Sequence, residues 1–349
     1  MNRALRTPAD LVAAGLVDPA ALPGIEAVAA RYAVSLTPDM AELIDAGDPA
    51  DPIARQFVPR AEELATTPEE RADPIGDDAH TALPGIVHRY PDRVLLKPLH
   101  ACPVYCRFCF RREVVGPDGL GALDAAQLDA ALAYIAARPE IWEVVLTGGD
   151  PFALSPRRLR VIATRLSEIP HVRVLRVHTR VPVVSPGLVS PALVGALKAF
   201  GRAVFVALHA NHPREFTPAA RAACARLVDA GIPMVSQSVL LAGVNAEAAT
   251  LEALMRAFVE NRIKPYYLHH GDLAPGTGHL RTSLAEGQAL MRALRGRLSG
   301  LAQPAYVLDI PGGHGKVPVG PSYLHEAPEG TRVTDPQGAE HPYPPTAGD

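Results

Sequence analysis

The stretch Val94-Leu-Leu-Lys-Pro-Leu-His-Ala-Cys-Pro-Val-Tyr-Cys-Arg-Phe-Cys109 joins an apolar run to three closely spaced cysteines. Cys102, Cys106 and Cys109 follow the spacing C-x3-C-x2-C directly after a run that is typical of a β-strand. Three thiolates can hold three irons of a four-iron, four-sulfur cluster, which normally takes four thiolates. The fourth iron then has no protein ligand, and an open metal position is typical of a catalytic site. The stretch therefore predicts a reactive iron–sulfur centre at the end of a strand.

A zinc site and a disulfide are less favoured interpretations of these cysteines. Zinc takes a fourth cysteine or histidine near by, and His100 is adjacent but precedes the loop. A disulfide is disfavoured in the reducing compartment that the rest of the chain indicates. The fourth cysteine, Cys224, lies in an amphipathic segment and is predicted to be an inert buried thiol.

The composition is that of a globular protein with balanced charge. The 349 residues are 48% hydrophobic, which is enough for one large domain with appendages or for two domains. With 34 basic and 37 acidic residues the net charge is -3, so we expect neither nucleic acid nor an anionic membrane as a partner. The N-terminus lacks the apolar core of a signal peptide and no long apolar run follows, so a cytoplasmic location is expected.

From about residue 86, short apolar runs alternate with Ala/Leu-rich helical segments, which favours an α/β fold with parallel strands. Six such units are too few for a closed eight-stranded barrel, so we predict an open, partial (β/α)6 barrel, with a doubly wound sheet as the alternative. The predicted strands are Arg93–Leu99, Glu143–Thr147, Arg173–His178, Ala203–His209, Met234–Leu240 and Lys264–His269. The predicted helices between them are Asp124–Arg138, Pro156–Ser167, Pro191–Phe200, Ala219–Ala230 and Ala246–Asn261.

The segments on either side of the predicted barrel have a different character. Residues 1–85 contain short helical stretches interrupted by prolines and predict an N-terminal helical lobe. Residues 86–300 would form the barrel, and residues 301–349 a C-terminal segment. From about Ser322 this segment is rich in proline and glycine and is predicted to be an extended arm or partly disordered.

Polar clusters follow the predicted strands, as expected for a barrel whose chemistry collects at the carboxyl ends of its strands. The second strand ends in Gly148, Gly149 and Asp150, and glycines let the backbone approach a ligand closely. The fourth strand ends at His209, and the fifth carries Gln237.

The cysteine spacing resembles the signature of the radical S-adenosylmethionine enzymes. In these enzymes the free iron chelates S-adenosylmethionine, and one electron from the cluster cleaves it to a 5′-deoxyadenosyl radical. The resemblance implies the partial (β/α)6 barrel, to which an N-terminal helical lobe and an extended C-terminal segment are added. It also implies that Gly148, Gly149 and Asp150, which resemble the family's GGE-type motif, bind S-adenosylmethionine together with His209 and Gln237.

A second glycine-rich segment, Asp309-Ile-Pro-Gly-Gly-His-Gly-Lys316, ends in a lysine that is flexible enough to form a Schiff base with pyridoxal phosphate. Glycine-rich loops that end in lysine more often hold phosphates, but the phosphate-loop spacing is incomplete because Val317 follows the lysine.

This segment resembles the pyridoxal-lysine motif of the lysine 2,3-aminomutases, and the block His88–Arg93 resembles the family segment that precedes the cluster. Over residues 85–320 the family blocks occur in order. The resemblance implies that Lys316 carries pyridoxal phosphate, that Arg89 and Arg93 contact its phosphate and that Tyr90 lines the site.

Three charged residues match the family's substrate contacts. Arg111 matches the arginine that binds the substrate carboxylate, and a planar guanidinium suits a two-point grip on a carboxylate. Asp272 and Asp309 match the two carboxylates that hold the ε-ammonium of lysine, where two anions would offset the desolvation of a buried cation. Alternatively, each aspartate caps a turn or a loop.

The resemblance implies an isomerase that interconverts L-lysine and β-lysine, with a reduced flavodoxin or ferredoxin as electron donor and a homo-oligomeric assembly. The same chemistry on arginine or glutamate, a radical enzyme without pyridoxal, and a non-catalytic iron–sulfur protein are alternatives. No cysteine follows Cys224 in this sequence, so we do not expect the C-terminal zinc site that the longer relatives carry. In length the chain resembles a short branch, some members of which supply β-lysine for modification of elongation factor P.

Overall fold

A computed structural model describes residues 3–116, 120–328 and 330–345. Its centre is a sheet of ten strands, surrounded by helices that share one continuous hydrophobic core with the sheet. In chain order, which is also their order in the sheet, the strands are β1 (Thr81–Leu83), β2 (Ile86–Tyr90), β3 (Arg93–Leu99), β4 (Glu143–Gly148), β5 (Val174–Thr179), β6 (Ala203–His209), β7 (Met234–Val239), β8 (Ile263–His269), β9 (Ala305–Asp309) and β10 (Lys316–Pro318).

Five of the longer helices begin after a residue whose side chain accepts from one of the first free backbone N–H groups. Asp124, Ser155, Ser190, Thr217 and Ser283 each accept a hydrogen bond from the backbone three residues on. The helices are α1 (Pro8–Ala13), α2 (Leu22–Ala29), α3 (Pro38–Ala41), α4 (Ala54–Phe57), α5 (Ala125–Ala136), α6 (Pro156–Ser167), α7 (Val181–Val184), α8 (Pro191–Lys198), α9 (Pro218–Asp229), α10 (Ala248–Glu260) and α11 (Leu284–Arg295).

Strands β3 to β9 are parallel, and each is separated from the next by at least one helix. The six predicted strands correspond to β3–β8, with bounds that differ by at most one residue. Neighbours in the sheet are neighbours along the chain, so the sheet has no point at which the strand order reverses and is not doubly wound. The prediction of six parallel strands is incomplete, because β9 adds a seventh.

The two edges of the sheet approach each other, which gives the sheet the curvature of a partial barrel. The backbone N–H of Lys316 on β10 donates to the Tyr90 hydroxyl on β2, at 2.8 Å. Arg89 on β2 lies 4.0 Å from the Asp309 carboxylate on β9. Side chains from both edges therefore face the same interior space.

The segments outside the barrel are α1–α4 and a small C-terminal sheet. This sheet contains β11 (Leu324–Ala327), β12 (Gly330–Thr334) and β13 (Glu340–Tyr343), all antiparallel. The tail therefore folds back on itself, where the sequence predicted an extended arm or partial disorder. The division at residues 85 and 300 stays a prediction. Within the described ranges, no helix has the length and apolar character needed to cross a membrane.

Candidate functional site

The predicted site residues converge at the carboxyl ends of the parallel strands and in the interior of the barrel. Along the strands, partly accessible residues alternate with fully buried ones, as in β5, where Arg176 and His178 lie between buried neighbours. Because helices cover the outer face, these partly accessible side chains face the barrel interior. The interior is therefore lined by polar and ionisable groups.

The cysteine loop after β3 is fixed by backbone contacts with the N-terminal segment. Tyr105 donates to the carbonyl of Ser35 at 3.0 Å, and Arg107 donates to the carbonyl of Gln56 at 2.8 Å. Cys102, Cys106 and Cys109 are free and partly accessible. The lobe thus sets the conformation of the loop that carries all three thiols.

The cysteine loop offers three thiols, and thiolates are the ligands of iron–sulfur clusters, each on a separate iron. The chemistry of this donor set therefore fits a cluster. Burial raises the pKa of the Cys106 thiol to about 11, and iron binding would reverse this by stabilising the thiolate.

The glycine pair at the end of β4 packs against the start of the cysteine loop. A Cβ on Gly148, whose φ is +103°, would stand 2.5 Å from the Leu99 carbonyl oxygen. A Cβ on Gly149 would stand 2.3 Å from the Ala101 carbonyl oxygen. Only glycine allows this approach, so the pair fixes the turn against the loop.

Asp150, predicted to contact S-adenosylmethionine, has its carboxylate engaged within the protein. It accepts hydrogen bonds from the Thr179 hydroxyl and the Arg180 N–H, both at 2.7 Å, and from the Phe152 N–H at 3.0 Å. Burial raises its pKa, and these hydrogen bonds oppose that rise. Its observed contacts join the ends of β4 and β5, and its contact with the cofactor stays a prediction.

Two histidines of the barrel interior have a buried ring nitrogen without a hydrogen-bond partner among the described residues. Nε2 of His178 and Nε2 of His209 have no hydrogen-bond partner among the described residues, and their rings are 5.6 Å apart. Burial lowers the pKa of His209 to about 3, whereas a hydrogen bond with Gln237 opposes that shift. Polar atoms that are buried without a partner fit a site that a polar cofactor completes.

Lys316 lies at the centre of the interior, at the start of β10. It follows Gly312, Gly313 and Gly315, which have φ values of +88°, +84° and +98° and permit the tight turn after β9. Its ammonium forms an ion pair with Asp309 and lies 3.1 Å from Nδ1 of His269. The glycine-rich turn therefore places a lysine amine inside the barrel.

The two predicted substrate carboxylates have opposite electrostatic environments. Burial would raise the pKa of Asp309, but the His269 hydrogen bond and the Lys316 charge outweigh it and lower that pKa to about 2. Burial, together with the nearby Asp309 charge, raises the pKa of Asp272 to about 7. The pair therefore carries one negative charge below neutral pH, and it gains the second charge as the pH rises through about 7.

Two of the three predicted anion-binding arginines converge on a carboxylate that the sequence did not reveal. Asp77 is 7% exposed and accepts a hydrogen bond from Arg111 at 3.0 Å and one from Arg89 at 3.4 Å. Lys97 lies 3.9 Å from the same carboxylate. Asp77 precedes β1 in an irregular segment, where no periodicity marks it.

Arg93, also predicted to bind phosphate, packs 3.9 Å over the ring of Tyr90 and pairs with Asp92 at 2.7 Å. His269 is a further residue that the sequence reasoning did not assign, although it stands at the end of a predicted strand. Burial and the Lys316 charge lower its pKa, so the ring is neutral beside the ammonium.

Comparisons with known proteins place the chain in a family. Residues 96–254 match the radical SAM superfamily, and residues 291–333 match the lysine-2,3-aminomutase C-terminal family. A radical SAM methyltransferase structure from Sphaerobacter thermophilus has a TM-score of 0.44 and 24% identity, covering 64% of this chain and 68% of that one.

Curated relatives match most of the chain. L-lysine 2,3-aminomutase of Acetoanaerobium sticklandii is 43% identical over 83% of this chain and 70% of its own length. L-lysine 2,3-aminomutase of Escherichia coli is 34% identical, and the match covers 82% of this chain and 83% of that enzyme. Glutamate 2,3-aminomutase of Clostridioides difficile is 35% identical, and the match covers 86% of this chain and 70% of that enzyme. The enzymes of this family are isomerases that use an iron–sulfur cluster, S-adenosylmethionine and pyridoxal phosphate. On these matches, the chain belongs to the lysine 2,3-aminomutase family of radical S-adenosylmethionine enzymes.

Proposed function

We propose that the protein is an L-lysine 2,3-aminomutase, which interconverts L-lysine and β-lysine in the cytoplasm. The observation that carries the substrate assignment is the pair of carboxylates, Asp272 and Asp309, beside the Lys316 ammonium. A site in which Asp309 pairs with an alkylammonium, with the Asp272 carboxylate within electrostatic reach, suits the ε-ammonium of lysine. The γ-carboxylate of glutamate would be repelled there.

The other end of the substrate needs a cation. Arg111 lies within electrostatic reach of Asp272, and its guanidinium is held by Asp77 and packs 4.3 Å over the ring of Phe110. These contacts support a role for Arg111 in binding the substrate carboxylate. An amino acid with charges at both ends would then be held in one orientation.

The residues around Lys316 are proposed to hold pyridoxal phosphate. Lys316 supplies the amine that attaches the cofactor, Arg89 and Arg93 bind its phosphate, and Tyr90 lines the site. The buried, guanidinium-rich edge of the sheet supports this arrangement, because Arg89 is only 11% exposed. His269 Nδ1 lies 3.1 Å from the Lys316 amine, so the ring is placed to orient this amine by a hydrogen bond.

The carboxyl ends of β3 to β7 are proposed to hold the radical machinery. Cys102, Cys106 and Cys109 bind the cluster, and S-adenosylmethionine contacts the remaining predicted residues, which are Gly148, Gly149, Asp150, His209 and Gln237. When bound, these cofactors supply the radical that removes hydrogen from the substrate and the aldehyde that carries its migrating nitrogen. The protein positions the reacting atoms and excludes water. A flavodoxin or ferredoxin is proposed as the electron donor, and a homo-oligomer as the assembly.

The test uses full-length protein reconstituted anaerobically with iron, sulfide and pyridoxal phosphate, then given S-adenosylmethionine, a reductant and L-lysine. We expect β-lysine by chromatography, and its loss in Cys106→Ala and Lys316→Ala. Matched controls are Cys224→Ala, a buried thiol on α9, and Lys198→Ala, an exposed lysine on α8, which should retain activity. Release of 5′-deoxyadenosine without β-lysine would overturn the lysine assignment and leave the radical chemistry in place.

A further inference from the structure

Arg180, at the carboxyl end of β5, is a buried cation for which the proposed reaction has no use. It is 7% exposed and donates to Glu215 at 2.7 Å and to Gln56 at 2.6 Å. Its guanidinium lies 5.3 Å from the ring of Phe108, and Nε has no partner among the described residues. Burial of such a cation is costly, so its position at this rim calls for an explanation.

Arg180 reaches the cysteine loop. Phe108 lies between Cys106 and Cys109 in that loop, and its ring is the one beside which the Arg180 guanidinium lies. The Gln56 side chain accepts a hydrogen bond from Arg180, and the Gln56 carbonyl accepts one from the Arg107 N–H of the same loop. The guanidinium is therefore a buried positive charge held beside the loop that carries Cys106.

The Glu215 carboxylate, which pairs with Arg180, also has hydrogen bonds to the backbone. Glu215 Oε1 accepts hydrogen bonds from the backbone N–H groups of Asn211 at 2.8 Å and His212 at 2.9 Å. The carboxylate is thus anchored to the turn after β6, and it holds the guanidinium in place at the cysteine loop.

We propose that Arg180 is a positioning residue that raises the reduction potential of the iron–sulfur cluster. The inference rests on the proposed assignment of Cys102, Cys106 and Cys109 as cluster ligands. Reduction adds one electron, and therefore one negative charge, to a cluster in a low-dielectric site. A nearby cation stabilises the reduced form more than the oxidised form. Glu215, which fixes Arg180, has the opposite electrostatic effect on the same cluster.

The test is a redox titration of the reconstituted full-length protein, followed by electron paramagnetic resonance of the reduced cluster. Arg180→Gln should lower the midpoint reduction potential of the cluster. At a fixed potential, the ratio of reduced to oxidised cluster should fall at least about tenfold, which corresponds to a shift of about 59 mV for one electron. Arg180→Lys keeps the charge and should stay closer to the wild type. Glu215→Gln removes the opposing charge and should shift the midpoint upward.

The matched control is Arg202→Gln, since Arg202 also bonds to buried carbonyl groups but lies before β6, at the opposite end of the strands. Its midpoint should not change. The inference would be overturned if Arg180→Gln and Glu215→Gln both had full iron and sulfide content and the midpoint potential of the wild type. Arg180 would then have a structural role only. If Arg180→Gln does not fold, the direction of the Glu215→Gln shift decides. A wild-type protein that takes up no iron would instead refute the cluster assignment in the proposed function.

Discussion

Asp272 and Asp309 show how one residue type acquires two different states in one site. Asp309, whose pKa falls to about 2, is ionised at every working pH, whereas Asp272 gains its charge only as the pH rises through about 7. Because the ionised form binds an ammonium, we expect the apparent affinity for L-lysine to increase as the pH rises through that value. The measurement is the KM for lysine about one pH unit below and above neutrality.

Asp272→Asn serves as the comparison, because it cannot ionise. Its KM should be several-fold higher than that of the wild type above neutral pH, and the difference should shrink below it. An equal pH dependence in both proteins would mean that another group is responsible.

Arg111 gives a prediction that depends on shape as well as charge. A lysine at this position keeps the positive charge but loses the planar, two-point grip on a carboxylate. We expect Arg111→Lys to raise the KM for L-lysine by about tenfold, which corresponds to about 1.4 kcal/mol. The absorbance of the bound pyridoxal phosphate should not change. Arg165→Lys, on the exposed face of α6, is the control, and a similar KM in both variants would refute the assignment.

The turn after β4 controls the cysteine loop through backbone contacts. In Gly149→Ala the new methyl group would stand 2.3 Å from the Ala101 carbonyl oxygen, so the loop must shift away from the turn. We expect this variant to retain less iron and sulfide after reconstitution. Gly187→Ala, where nothing lies within 4 Å, is the matched control. Equal iron content in the two variants would show that the loop tolerates displacement.

Regular elements were predictable from the sequence, and the contacts between distant elements were not. Each strand from β3 to β8 is an apolar run bounded by turn residues, so its local pattern suffices. Strand β9 has only five residues and follows Pro304, so its sequence could not be distinguished from that of the adjoining loop. The contact of Lys316 with His269 depends on the pairing of β8, β9 and β10. The convergence of Arg89 and Arg111 on Asp77 depends on the curvature of the whole sheet, which no local pattern records.

The N-terminal lobe and the barrel are joined by a buried network of charges. Glu63 of the lobe is fully buried and accepts hydrogen bonds from Arg107, at 2.5 Å from Nη2 and 2.9 Å from Nε, and from Arg112. Arg107 also donates to the Ala33 carbonyl at 2.9 Å, and Arg112 packs 3.5 Å over the ring of Tyr32. Both arginines belong to the cysteine loop region, so the stability of the lobe and the geometry of the proposed cluster site are coupled.

Glu63→Gln therefore tests the integrity of the entire fold. Removing the carboxylate charge leaves two buried guanidinium groups without a counter-ion, which costs about 3 kcal/mol of unfolding free energy. Burial raises the pKa of Glu63, but the charges of Arg107 and Arg112 outweigh it and hold that pKa below its ordinary value of 4.5. The stabilisation is thus fully present above pH 4.5 and is lost as the pH falls through the lowered pKa. Urea unfolding should show a large difference between the variant and the wild type near neutral pH and a smaller one in strong acid. Glu62→Gln, at the exposed neighbouring position, is the control and should have the unfolding free energy of the wild type at every pH. If the loss of unfolding free energy in Glu63→Gln were equally large in strong acid, packing and not charge would join the lobe to the barrel.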